Sequence, residues 1–156
     1  MSNWKTALRE GSVAGTAATL LSLLVLAAAG RQRGAAAAPV NAISHWLWGD
    51  ESLHADRASL RHTAVGLLTH QAAAIGWATL YSRVHGHRPS AKQLPQALAG
   101  GVATSAVAFA VDYALVPKRL TPGYEHRLGS GAMLATYGSL AAGFALGALV
   151  LRALQD

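Results

Sequence analysis

His70 and Asp112 are the ionisable residues that stand inside long apolar stretches of this sequence, and chemistry is expected there first. A charge or an imidazole among hydrocarbon is expensive to keep. Such residues default to a proton relay, a ligand contact or a hydrogen bond to a named partner. His62 and His70 are separated by about 12 Å of helix, at about 1.5 Å per residue, which is too far for one metal ion. The other apolar stretches hold no imidazole to face His70, so a haem held by two histidines is not expected. Asp112 stands about 7 Å before the helix end expected at Pro117. Tyr113 adds a hydroxyl beside it, and Lys118 and Arg119 follow. We expect a cation to hold Asp112, with Arg119 or Lys118 the preferred partner and His70 the alternative, because an unpaired carboxylate near hydrocarbon would stay neutral. The run from Lys118 to Glu125 gathers polar groups where a lipid headgroup or an anion could dock. Tyr113, Arg119 and Glu125 are therefore candidate contacts together with His70 and Asp112.

His45 and Asp50 have the spacing HxxxxD, six residues in all. It resembles the motif of membrane glycerolipid acyltransferases. That resemblance implies a base at His45 acting on an acceptor hydroxyl, oriented by Asp50, and a lipid-modifying activity. His85 and His87 form an HxH pair with no third ligand close in sequence, so no metal site is expected. Cysteine is absent, which excludes disulfides, thiolate metal sites, iron–sulfur clusters and cysteine nucleophiles. No HExxH, GxSxG or phosphate-binding loop occurs, and no cofactor is expected.

The elements that must position these residues are helices in lipid. Of 156 residues, 52% are hydrophobic and 13% charged, and the apolar residues are gathered into blocks. A span requires roughly 20 apolar residues to cross about 30 Å of hydrocarbon. Four segments qualify, about 11–30, 62–84, 94–117 and 130–151, each bounded by Arg, Lys or Pro. The expected fold is an all-α integral membrane protein, one domain over 1–156, built as a compact bundle of four transmembrane helices. Pro39 can open a short helix over 39–48 between the first two spans. Val40, Ile43 and Leu47 fall on one stripe beside Trp46 and Trp48, as in a helix lying in the membrane interface. Lys5, Arg9 and the block from Leu20 to Ala29 also fit a secretory signal peptide, although the apolar stretch from Gly11 is long enough to span.

Small residues should mark where the helices touch, since association in lipid depends on close contact. Gly11 and Gly15 form one pair. Ala135, Ser139, Gly143 and Gly147 form a stripe on the last helix, Gly101, Ser105, Ala108 and Asp112 share a face of the third, and Gly66 and His70 one of the second. These faces are expected to pack within one chain, with a homodimer through the last helix as the alternative.

The net charge of +6 belongs to Lys and Arg at the ends of apolar blocks, where they meet lipid headgroups, and no nucleic acid partner is expected. The expected function is a non-enzymatic bundle binding the bilayer or another membrane protein. The alternatives are a small proton-coupled carrier using His70 and Asp112, with Glu10 a third participant, and the lipid-modifying enzyme at His45. The expected location is a bacterial inner membrane. Orientation is weakly encoded, with six basic residues on the N-terminal side and seven on the other. Glu10 and Asp156 are the only acids on the N-terminal side, which points to cytoplasmic termini. Reporter fusions before Met1 and after Asp156 should both read cytoplasmic; opposite locations would rule out four spans.

Overall fold

The structure, a computed structural model, describes residues 3–154; Asp156 lies outside them. Among the described residues there is no strand, and six α-helices follow one another: α1 Trp4–Gln32, α2 Ala38–Ile43, α3 His45–Trp48, α4 Val65–Tyr81, α5 Leu94–Ala110 and α6 Ser130–Ala153. Short 3-10 and π turns join and lengthen them. The π turns Leu60–Ala64 and Ser82–Gly86 flank α4, and a third, Val111–Leu115, extends α5.

Three helices are long and apolar enough to cross a membrane: Trp4–Gln32, Leu94–Leu115 and Ser130–Ala153. The helix over Val65–Tyr81 is not among them, because Thr69, His70, Gln71 and Thr79 interrupt its apolar run. Local signals set the boundaries. Asn3 caps α1 by accepting from the Thr6 amide at 2.7 Å, and Gly34, at φ +88°, turns the chain back after it. Pro39 and Pro95 open α2 and α5, where a missing N–H costs nothing.

Backbones approach closely on both sides of α1. A Cβ on Gly143 or Gly147 would collide with the α1 backbone at Ala18 or Ala14, and one on Gly11 or Gly15 would collide with α4 at Thr79 or Ile75. A Cβ on Gly101 would meet the Ala141 carbonyl, and Ser105 donates to the Tyr137 carbonyl of α6 at 2.6 Å. These pairs run in opposite sequence directions, so each contact is antiparallel. The long helices lie in the order α4, α1, α6, α5. The fourth seam, between α4 and α5, is drawn together only at one end, where Gly100 faces Tyr81 and His85.

Two expectations about packing change. Ala135 is exposed, and the half-buried Ser139 returns its hydroxyl to the Thr136 carbonyl at 2.7 Å, so only Gly143 and Gly147 of that stripe make the interhelical contact. Gly66 meets Val40 of α2 rather than α5. The segment 39–48 is also not one helix lying on the surface. It breaks at Ser44, and all six residues of α2 are buried, leaving Trp46, Leu47 and Trp48 outside. Asn41 explains the burial: its amide donates to the Ala55 and Arg57 carbonyls at 2.8 and 2.9 Å and accepts from Thr63 at 2.6 Å. Charge is buried at the opposite end, where Lys92 pairs with Glu10 at 2.8 Å and Ser82 donates to the same carboxylate.

Gly143→Leu should lower stability by roughly 1–3 kcal/mol or more, because the overpacked contact has only backbone to displace. Gly138→Leu, on the same helix with nothing within 4 Å, should leave it unchanged. Equal melting temperatures for the two variants in detergent would refute the α1–α6 contact.

Candidate functional site

The seam left open between α4 and α5 holds a cavity of about 170 Å³. Helix α4 contributes His70 and Trp77, α5 with its π turn contributes Ala108 and Asp112, and α6 contributes Tyr137 and Phe144. The floor comes from the polar end of the molecule, with Ile43 and Trp46 on one side and Pro122 and Tyr124 on the other. His70 and Asp112 therefore line the same space.

Each has a hydrogen-bond partner from another helix. His70 Nε2 lies 2.7 Å from Ser22 Oγ of α1. Ser22 also lies 3.1 Å from the Thr19 carbonyl; with its hydroxyl proton directed there, the ring donates through Nε2 and leaves Nδ1 as an acceptor. Asp112 Oδ2 accepts from the Tyr137 hydroxyl at 2.6 Å. Among the described residues no ion pair involves Asp112. The expected cation is elsewhere: Arg119 donates to the His45 carbonyl. The helical turn ends at Leu115, and extended backbone at Val116 and Pro117 carries Arg119 off the register that would return it to Asp112.

Tyr113 and Glu125 do come together beside the cavity. Tyr113 donates to Glu125 Oε2 at 3.3 Å, Thr121 donates to Oε1 at 2.6 Å, and His126 stands 3.8 Å away at the surface. Tyr124 is fully buried, edge-on to His70 at 6.4 Å. Burial pushes its phenol above the ordinary tyrosine range, which keeps it protonated. Gly123, at φ +91°, makes this possible. A Cβ there would stand 2.6 Å from His45 Nδ1, so only glycine lets the turn lie against that ring.

His45 is not arranged for base catalysis with Asp50. It is 4% exposed and its Nδ1 lies 2.9 Å from the Ala42 carbonyl, while Asp50 is on the surface with no bond to it. Among the described residues no three His, Cys, Asp or Glu side chains gather as metal ligands, and His85 turns to the Gln96 carbonyl at 3.4 Å. A wider apolar groove of about 650 Å³ runs along the outer faces of α5 and α6, past Phe109, Leu134 and Tyr137.

Sequence reasoning missed Trp77, Tyr137 and Ser22. Nothing local marks them, since each acquires its role from a helix distant in sequence. No protein-family model matches the chain, and no curated protein or solved structure is significantly similar to it.

The Tyr137–Asp112 bond should appear in a double-mutant cycle. Tyr137→Phe should cost about 1–3 kcal/mol in the parent, the range for leaving a buried acceptor without its partner, and much less in an Asp112→Ala background. Arg119→Ala should cost the same in both backgrounds. Additive losses for Tyr137 and Asp112 would disprove the bond.

Proposed function

We propose that the chain is an integral membrane protein of four spans that binds a small molecule in the cavity between α4 and α5 and exchanges it for a proton on Asp112. One observation carries this reading: the two ionisable residues within the apolar helices, far apart in sequence, line one cavity. Asp112 also sits on a π turn, a local widening of the helix that is frequent at functional sites and costs regular hydrogen bonding.

The outer surface supports four spans. Leu67, Leu68 and Leu80 of α4 point outward, the buried His70 faces in, and the half-buried Gln71 donates to Thr16 of α1 at 2.9 Å. Leu24, Val102, Phe109 and Leu134 continue the exposed apolar surface on the other helices. Tryptophans with arginines stand at the two ends. Arg83 lies over Trp4 at 5.4 Å at one end and Arg61 over Trp48 at 5.1 Å at the other, as suits rings and cations at two lipid–water interfaces.

The rival reading, a bundle that stabilises a protein partner or a second copy through its small-residue faces, loses its main argument. Gly11, Gly15, Gly101, Gly143 and Gly147 are all spent on contacts within the chain. What remains outside suits acyl chains, so the bilayer is the partner of the outer surface.

A hydrophobic carbodiimide tests the site without knowledge of the ligand, because it reacts with protonated carboxyl groups reached through the membrane. In reconstituted vesicles, dicyclohexylcarbodiimide should modify Asp112, less so as pH rises. Ala73→Phe, which fills the cavity from α4, should protect it. An adduct absent from Asp112, or equally strong in the filled variant, would refute the accessible, proton-exchanging carboxyl.

A further inference from the structure

The lining of the cavity is specific about charge. Its one residue with a formal charge is Asp112, and no lysine or arginine is among the residues that line it. Trp46, Trp77, Tyr124, Tyr137 and Phe144 supply five aromatic rings, whose electron-rich faces attract cations most strongly where water is excluded. An anion would meet a carboxylate with no compensating positive charge. A neutral apolar molecule would displace no proton from Asp112, so it would take no part in the exchange proposed above.

The hydrogen-bonding capacity left over points the same way. Tyr137 occupies Oδ2 of Asp112, and its proton is used there. Oδ1 of Asp112 accepts no bond from the protein among the described residues, and neither does Nδ1 of His70, once the ring has donated to Ser22. Both spare atoms are acceptors on residues that line the cavity, so a ligand that satisfies them must donate.

We infer that the ligand is a small organic ammonium ion with at least two N–H groups and a short hydrocarbon body. Its N–H groups bond Asp112 Oδ1 and His70 Nδ1, and its body lies among the aromatic rings. The volume sets the size. At about 30 Å³ for each water-sized group, 170 Å³ holds roughly five or six such groups, the bulk of a butylammonium ion. This inference rests on the reading of the cavity as a binding site, and it adds the charge and donor character of what binds.

Equilibrium dialysis of the full chain in detergent against n-butylammonium, n-butanol and butyrate tests it, since the three probes share a size and differ in charge. Ala73→Phe serves as the filled-cavity reference. Butylammonium should bind at least about tenfold more tightly than butanol, a difference of about 1.4 kcal/mol, and butyrate should not exceed the reference. Asp112→Asn, which keeps a hydrogen-bonding group for Tyr137, should abolish the preference for ammonium and leave butanol binding unchanged. Trp77→Leu provides a second arm should that variant fail to fold, and it should weaken butylammonium more than butanol. Butanol or butyrate binding as tightly as butylammonium, or a preference that survives in Asp112→Asn, would overturn the ammonium inference while the cavity reading stands. Binding of all three probes no greater than to Ala73→Phe would overturn both.

Discussion

The absence of side chains at Gly143 and Gly147 lets α6 lie directly on the backbone of α1 at Ala18 and Ala14, and the rest of the architecture is arranged around that approach. In lipid the hydrophobic effect does not drive helices together, so the energy of association must come from van der Waals contact and hydrogen bonds between them. Such contact needs backbones close to one another over several turns. Gly11 and Gly15 repeat the device against α4, and Gly101 repeats it between α5 and α6. Three tight seams result, and they leave the fourth, between α4 and α5, to be filled by large side chains instead. The cavity is thus a consequence of where the glycines are: the loose seam is the one that lacks them along most of its length, Gly100 at its closed end excepted.

Polar groups inside the protein follow the same division. At the end away from the cavity the buried charges are paired within the chain. Glu10 meets Lys92 with both side chains about nine-tenths buried, and Ser82 adds a donor. Losing one partner of such a pair would strand the other charge away from water. At the opposite end Asn41 fastens α2 beneath the loops, and Ser44, Ser52 and His62 cluster within 3.3 Å of one another. Around the cavity the neutralisation is incomplete. Among the described residues Asp112 has a phenol for one oxygen and nothing for the other, and His70, once it donates to Ser22, keeps one ring nitrogen as an acceptor. A fold that satisfies its buried carboxylate and amine at one end and leaves acceptors facing a cavity at the other separates structure from binding.

The distinction bears on how a small membrane chain can hold a binding site at all. With 156 residues there is little material to spare for a lining, and five aromatic rings drawn from α3, α4, the turn before α6, and α6 are its largest side chains. Tyr124 shows the economy. Its position depends on Gly123 lying against His45, whose carbonyl in turn takes Arg119, so this connection closes the cavity floor and anchors the start of α3.

The helices were legible in the sequence because the requirement that produces them is local: an apolar run of sufficient length, ended by charge, Pro or Gly. Segments expected at about 11–30, 94–117 and 130–151 lie within or nearly coincide with Trp4–Gln32, Leu94–Leu115 and Ser130–Ala153. The spacing of Gly143 and Gly147 marked a contact face for the same reason, since a helical period places them together. His70 and Asp112 were recognisable as costly wherever their helices went. Their surroundings were not. The Arg119 expected beside Asp112 is near it in sequence, but extended backbone at Val116 and Pro117 takes it to His45, and the phenol that replaces it comes from Tyr137 on another helix. Likewise α2 reads as an amphipathic surface helix until Asn41 finds its three partners. Hydropathy and helical period are properties of neighbouring residues, and the sequence alone determined what depends on them. Which side chains meet across helices, and hence that His70 and Asp112 share one cavity, depends on how the glycine seams set the helices against one another, and only the tertiary structure decided that.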